Sequence, residues 1–143
     1  MTKRQIHYEE IEIGDELPDM TKVPSRAQLF MYSAITWNVH RIHYDEAYAR
    51  TEGHPTVLVH GPLQGAFFGQ FMADWVAPEG KLKKIAYSNR GVALPDEPYI
   101  VKGRVTGKRI EAGQHLVDCE IRGENQNGDI AAIGSATVIV PAG

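Results

Sequence analysis

The sequence predicts an α+β fold in which one deeply buried helix packs against a curled antiparallel sheet. The first indication is the stretch after Gly61, which carries apolar residues on nearly every side of a helix. The second is the later half of the chain, where Val101, Gly103 and Val105 alternate with polar residues as strand residues do. An apolar helix must be buried, and a sheet with one apolar face can bury it.

The composition excludes several kinds of partner. The 15 Lys and Arg residues against 18 Asp and Glu residues give a net charge of −3, so no basic field attracts nucleic acid or an anionic membrane. No segment approaches the roughly 20 apolar residues that span a bilayer. A single cysteine, Cys119, and a start without an apolar stretch predict a cytoplasmic protein. With 143 residues, of which 43% are hydrophobic, we expect one domain, residues 1–143.

The first helix is predicted to begin at Ser25. This residue follows a proline and precedes Gln28 by three positions, which is the spacing of a capping box. Helical steps of three and four then continue through Leu29, Phe30, Ser33 and Ala34 and fade near Trp37.

The second helix is predicted to begin at Gly61 and Pro62. Gly61, Gly65 and Gly69 are four residues apart and therefore lie on one face, where another backbone or a sheet can approach closely. Each interior glycine costs about 0.5–1 kcal/mol relative to alanine, which favours a packing or functional reason for the series.

Strand alternation recurs from Leu116 to Ile121, and Asn127–Gly128 is a hairpin signal before a last apolar strand. The predicted order is a short extended piece, two helices, and three or four strands that are joined largely antiparallel.

The segment WNVHRIHYDEAYA, from Trp37 to Ala49, concentrates groups that can do chemistry. A metal is not expected, because His40, His43 and Asp45 fall short of about four ligands and no CxxC or HExxH pattern is present. A Ser-His-Asp hydrolase is not expected either, because the sequence has no GxSxG nucleophile elbow. A solvated loop, or an imidazole that caps a helix end, stays open as an interpretation.

This segment resembles the MaoC-like hydratase and dehydratase family, which has the hotdog fold and acts on acyl thioesters. The family motif is Asp-x-Asn-Pro-(Ile or Leu)-His with a His-Gly pair about 17 residues later. Here NVHRIH occupies the first motif, and His60–Gly61 follows His43 by 17 residues. YEEIEIGDELP and SNRGVALPDEPY resemble flanking strands of the family, so the resemblance covers nearly the whole chain.

The resemblance implies catalytic roles for four residues. His43 matches the catalytic histidine, and Gly61 matches the glycine whose N–H polarises the thioester carbonyl. Asn38 stands where the family has its catalytic aspartate, and an amide orients water but is no base. His40 stands in the asparagine position, and we expect it to be the second titrating group or a brace of the loop. Asp45 is the other titrating option or a helix cap.

Three residues are expected to contact the substrate. Arg41 replaces the family proline and suits a second carboxylate held bidentately, a coenzyme A phosphate, or no ligand at all. His60 is a substrate contact or only a structural neighbour of Gly61. Arg90 lies in the arginine-containing strand motif. The form NxHRIHYD resembles a branch similar to mesaconyl- and itaconyl-CoA hydratases.

The resemblance implies a lyase, namely an enoyl-CoA hydratase or 3-hydroxyacyl thioester dehydratase, that needs no cofactor beyond the coenzyme A of its acyl-CoA substrate. It also implies a homodimer or higher homo-oligomer, with a hetero-oligomer as an option. Two other functions stay open: a non-catalytic, pocket-forming subunit of a hotdog dehydratase, and an acyl-CoA thioesterase.

Overall fold

The computed structural model describes residues 3–143 as three α-helices and five β-strands. The helices are α1 (Arg26–Thr36), α2 (Glu46–Thr51) and α3 (Gly61–Val76). The strands are β1 (Met20–Lys22), β2 (Lys81–Asn89), β3 (Tyr99–Glu111), β4 (Gln114–Glu124) and β5 (Ile130–Ile139). All strand pairings are antiparallel, in the order β1-β3-β4-β5-β2. The α+β prediction is confirmed. In the described part of the chain, no helix is both long and apolar enough to cross a membrane.

Helix α3 packs against the sheet with one side buried, as its apolar residues predict, but Ala66, Gln70, Ala73 and Asp74 on its other side are exposed. Eight of its residues are buried, including Phe67, Phe68, Phe71 and Met72. The sheet makes room for the rings: a Cβ on Gly134 of β5 would lie 2.9 Å from Phe68, and one on Gly103 of β3 would lie 2.8 Å from Phe71. Contacts this short are closer than carbon atoms pack, so these strand glycines set how deeply the helix sits.

The predicted alternation of the strands is also found. Val101, Gly103 and Val105 of β3 are buried, and so are Val117, Cys119 and Ile121 of β4. The predicted hairpin connects β4 and β5. Gly128 has a φ of +78° there, which favours glycine, and the Asn125 side chain accepts hydrogen bonds from the N–H groups of Asn127 and Asp129.

Helix α1 begins after Ser25, whose hydroxyl accepts a hydrogen bond from the N–H of Gln28 at 3.1 Å. It ends at Thr36 because Trp37 adopts the left-handed conformation, with a φ of 55°. Of the four residues at these helical steps, Leu29 and Ser33 are buried, whereas Phe30 and Ala34 are exposed. Helical spacing alone fits burial of either pair, Leu29 with Ser33 or Phe30 with Ala34, and the position of α3 decides which pair is buried.

The glycine series of α3 packs closely at two of its three positions. A Cβ on Gly65 would lie 2.3 Å from the ring of Tyr87, and one on Gly61 would lie 2.1 Å from the amide nitrogen of Asn89. Both neighbours are on β2. The prediction is wrong for Gly69, where a Cβ would meet no atom within 4 Å.

Gly69→Ala and Gly65→Ala therefore form a matched pair with opposite expected effects. Gly69→Ala should raise the free energy of unfolding by about 0.5–1 kcal/mol, because alanine loses less backbone entropy in a helix. Gly65→Ala should lower it by about 1–3 kcal/mol, because the new methyl displaces Tyr87. Urea denaturation of both variants measures the difference, and two effects of the same sign would contradict this account of the helix packing.

Candidate active site

The histidine-rich segment folds as a turn between α1 and α2. A 3₁₀ turn, Arg41–His43, follows directly on the loop after Trp37, and Asp45 caps α2 by accepting a hydrogen bond from the N–H of Tyr48 at 3.1 Å. The capping interpretation of Asp45 is thus confirmed. The turn brings His43 into the interior while His40, three residues earlier, stays exposed.

His43 is held in one tautomer. Its Nδ1 lies 2.8 Å from the carbonyl oxygen of Leu58. A carbonyl only accepts, so Nδ1 carries the proton and Nε2 keeps its lone pair. Burial lowers the pKa of His43 below its usual value; the hydrogen bond to Leu58 opposes this shift, and the nearby His40 adds to it. His43 is therefore a neutral base at neutral pH, and 8% of its surface is exposed.

His60 stacks on His43. The ring centroids are 3.8 Å apart and the planes differ by 19°. His60 is fully buried, its Nε2 is hydrogen-bonded to the hydroxyl of Ser33 at 2.7 Å, and its Nδ1 has no partner among the described residues. Burial, and then the proximity of His43, lowers the pKa of His60 to about 4. This ring stays neutral and cannot be reached by substrate as the side chains stand.

Gly61 is the first residue of α3, directly after His60 as its N-cap. A backbone N–H in the first turn of a helix has no partner within the helix, and the helix dipole adds positive potential there. A Cβ at this position would lie 2.1 Å from the amide nitrogen of Asn89, so a side chain here would have to displace Asn89. The N-terminus of α3 therefore adjoins the stacked imidazoles and presents a donor that can face an oxyanion.

An open cavity of about 730 Å³ lies over this turn. It is lined by Tyr32, Thr36, Trp37, Asn38, Val39, His40, Arg41, Tyr48 and Pro62. A second, smaller cavity of about 160 Å³ shares Trp37, Asn38 and Val39 with it. His43 does not line the large cavity but lies behind His40, with the ring centroids 6.1 Å apart.

Among the described residues, none that lines the large cavity is an acid. Asn38 occupies the position of the family aspartate, and its Oδ1 lies 3.5 Å from the N–H of His40. Asn38 lines both cavities, and its amide can orient a water molecule there.

Arg41 is engaged within the chain. Its Nη2 and Nε donate to one oxygen of Asp45, at 2.6 and 3.1 Å, and the guanidinium lies 4.5 Å from the ring centroid of Tyr48. This pairing lowers the pKa of Asp45, first through the hydrogen bond from Arg41. Asp45 is thus unsuited to be the second titrating group. Arg41 lines the cavity, and its Nη1 makes no hydrogen bond within the described residues.

The structure brings five of the seven predicted site residues to the large cavity or the stack behind it, and Gly61 to its edge beside Pro62. Arg90 is elsewhere: it is exposed beyond the end of β2, where its N–H donates to the carbonyl of Ala131. Its role in substrate binding stays a prediction. Within residues 3–143, no three His, Cys, Asp or Glu side chains are placed to hold a metal ion.

Sequence reasoning missed Tyr32, Thr36 and Tyr48 in the lining and Ser33 behind it. Tyr32 and Thr36 are four residues apart on α1, so their shared face was a usable signal. Ser33 gave no such signal, because only the tertiary contact with His60 distinguishes it from other helix serines.

The neutral, buried His60 makes stability depend on pH. The unfolded chain binds a proton at His60 near pH 6.5, whereas the folded chain does so only near pH 4. The free energy of unfolding should therefore fall as pH drops from about 6.5 to 4, by about 3 kcal/mol for this group. Urea denaturation of the wild type and of His60→Gln at several pH values checks this. Equal pH slopes in the two proteins would contradict the assignment.

Comparison with known proteins agrees with the motifs. The model of the hydroxyacyl-thioester dehydratase type 2 family matches residues 3–95. Mesaconyl-C(4)-CoA hydratase of Chloroflexus aurantiacus is 57% identical over 44 residues, which are 30% of this chain and 16% of that protein. The shared segment is thus a small part of the curated relative.

Two solved structures have the same fold. The R-hydratase PhaJ1 from Pseudomonas aeruginosa superposes with a TM-score of 0.86 at 23% identity, over 97% of this chain and 88% of that one. A chain of the ChsH1-ChsH2 complex from Mycobacterium tuberculosis superposes with a TM-score of 0.77 at 17% identity, over 90% of this chain and 98% of that one. The curled sheet around α3 is the hotdog fold, and with the matched family model it leads to one conclusion: this chain belongs to the hydroxyacyl-thioester dehydratase type 2 family, among the MaoC-like hydratases and dehydratases.

Proposed function

We propose that this chain catalyses the reversible addition of water to a 2-enoyl-CoA thioester. The observation that carries the proposal is the state of His43. Its Nδ1–H is committed to the Leu58 carbonyl, so a neutral Nε2 is available beside the N-terminus of α3. A base and an oxyanion donor in one place are what hydration of an activated double bond requires.

In the hydration direction, His43 takes a proton from water while the water oxygen bonds to C3 of the enoyl group. The electrons of the double bond move to the thioester oxygen, where the N–H of Gly61 stabilises the enolate. Asn38 orients the water. A proton then bonds to C2, and we assign its delivery to His40, the other imidazole at the cavity. The cycle is balanced by proton exchange between the two histidines and solvent, and no cofactor beyond coenzyme A is required.

Arg41 is the residue that we propose to favour short dicarboxylyl substrates. It lines the cavity and keeps Nη1 free while Asp45 and Tyr48 fix its orientation. A pre-oriented guanidinium loses little entropy on binding a carboxylate. The name of the Chloroflexus aurantiacus relative, a mesaconyl-C(4)-CoA hydratase, supports this substrate class.

We further propose a cytoplasmic oligomer. Within residues 3–143, strand β2 is at one edge of the sheet and pairs with β5 alone, so its other edge is open for a second chain. Ile35 and Trp37 are 78% and 80% exposed on α1 and the loop after it, which supports a further contact surface. A second copy is the simplest partner for both.

The non-catalytic-subunit alternative has one specific observation in its favour. Asn38 replaces the family aspartate, and the described lining of the large cavity holds no carboxylate. The ChsH1-ChsH2 complex is a precedent for two-component assembly on this fold. A thioesterase has less support, because Gln64 is buried and accepts a hydrogen bond from the Tyr99 hydroxyl at 3.0 Å. The nearest acid on that helix, Asp74, lies near its other end.

His43→Ala should abolish hydration, with a loss of at least about 10³-fold in kcat, since it removes the base. The assay follows enoyl-thioester absorbance with crotonyl-CoA and mesaconyl-CoA as substrates. His54→Ala, which removes a histidine outside the cavity lining, is the matched control and should retain wild-type turnover.

Because the pKa of His43 is lowered, wild-type activity should persist below pH 6.5 and decline only as His43 becomes protonated.

Other results would redirect the assignment. Wild-type silence with both substrates and no release of free coenzyme A would favour the subunit alternative, whereas release of coenzyme A would favour a thioesterase. Full turnover by His43→Ala would contradict the proposed mechanism.

Arg41→Ala should lower kcat/KM for mesaconyl-CoA relative to crotonyl-CoA by about tenfold, the worth of one charge-assisted hydrogen bond. Arg50→Ala is the control, because Arg50 pairs with Glu46 at the same i,i+4 spacing but is outside the cavity lining. An unchanged substrate ratio in Arg41→Ala would remove the dicarboxylyl preference from the proposal.

A further inference from the structure

We propose that His60 is a positioning residue for the reaction: anchored by Ser33, its ring backs the imidazole of His43 and fixes the direction of the His43 Nε2 lone pair. This inference rests on the proposed function, in which His43 is the base. It assigns His60 a role that differs from both options that the sequence left open, a substrate contact and a structural neighbour of Gly61.

The geometry of His43 shows why backing is needed. The hydrogen bond to Leu58 fixes one edge of the ring, at Nδ1, but a single bond leaves the ring free to tilt about that contact. A flat surface against the ring face removes this freedom. The His60 ring provides that surface at 3.8 Å and 19° from parallel. The hydrogen bond at the ring edge and the stacking contact on the ring face together fix the plane of the His43 ring and the direction of Nε2.

His60 can do this only because it is itself held from two sides. Its backbone is the N-cap of α3, where its carbonyl accepts a hydrogen bond from the N–H of Gln64 at 3.1 Å. Its Nε2 is tied to Ser33 of α1 at 2.7 Å. The ring is fully buried and cannot swing towards solvent. Helices α1 and α3 thus fix the imidazole of His60, and His60 in turn fixes the imidazole of His43.

The stack also bears on the charge of His43. Two imidazolium rings at this separation would repel strongly, and burial opposes charge on either. The other titratable groups that face the pair are Tyr32, whose ring is 4.8 Å from His60, and His40, whose ring is 6.1 Å from His43. Tyr32 is neutral, since burial raises its pKa further. Among the described residues, no carboxylate acts on the pKa of either ring, so removal of His60 should let water in and raise the pKa of His43.

The Ser33 contact distinguishes positioning from mere filling of space. Ser33→Ala leaves both rings in place but frees His60 to turn, whereas Ser33→Thr keeps the hydroxyl. If the ring only fills a cavity, the hydroxyl is irrelevant to turnover. If the ring positions His43, the hydroxyl matters and threonine restores what alanine loses.

The experiment combines kinetics with imidazole NMR on the full chain. We expect His60→Ala to lower kcat about 10²-fold with KM within about twofold, as for a misplaced catalytic group. We expect Ser33→Ala to lower kcat about tenfold and Ser33→Thr to restore most of it. In an NMR titration of labelled histidines, His43 should titrate at higher pH in His60→Ala than in the wild type. His115→Ala removes a ring that contacts only Tyr8 among the described aromatic pairs, and it is the control.

Three results would overturn the proposal: a folded His60→Ala with wild-type kcat, an unchanged His43 titration in that variant, or a Ser33→Ala that is as active as Ser33→Thr. Should His60→Ala fail to fold, the two Ser33 variants decide the question alone. If the wild type turns over no enoyl-CoA, the proposed function fails, and the NMR titration still tests whether His60 controls His43.

Discussion

The burial of α3 against the sheet is the constraint on which the rest of the structure depends. The helix buries eight of its sixteen residues, largely against the curled sheet, whereas Ala66, Gln70, Ala73 and Asp74 stay exposed on its other side. Burying a large apolar side chain contributes about 1.5–3 kcal/mol, and α3 buries three phenylalanines and a methionine. Small residues on the strands then decide the depth of the contact, as Gly103 and Gly134 do for Phe71 and Phe68.

The site inherits its precision from that packing. Since α3 cannot shift without moving its rings out of the core, its N-terminus is a fixed point for Gly61 and for the imidazole of His60. The contact between Tyr99 and Gln64 adds a directional restraint near the same end of the helix, because a buried hydroxyl and a buried amide must stay paired. A loop alone would not hold a base to the tolerance that proton transfer needs.

Sequence reasoning was sufficient for the fold because local patterns and packing agree. The apolar circumference of α3, the alternation around Val101 and Val117, and the Asn127–Gly128 turn each point to the structure that forms. Gly69 was misjudged because periodicity identifies residues that share a face but not what that face contacts.

The site was harder, and the difficulty has a physical cause. Motif spacing singled out His43 and Gly61, but the stack of His60 on His43 joins residues that no helical or strand period relates. The partner of His60, Ser33, lies on a separate helix. The pairing of Arg41 with Asp45 was readable in principle from their i,i+4 spacing, although a turn rather than a helix joins them.

The lining of the large cavity and the imidazole stack behind it come from residues 32–62, whereas the strands β2 to β5 come from residues 81–139. The two stretches also touch directly: Asn89 approaches Gly61, and the N–H of Val59 donates to the carbonyl of Ala93 at 3.0 Å. The residues that line the cavity and the residues that pair in strands β2 to β5 thus come from separate parts of the chain. Substitutions at residues that line the cavity can therefore alter substrate choice without changing a residue of the paired strands. Among the described residues, the hotdog sheet supports the reactive segment but contributes no residue to the lining of the large cavity.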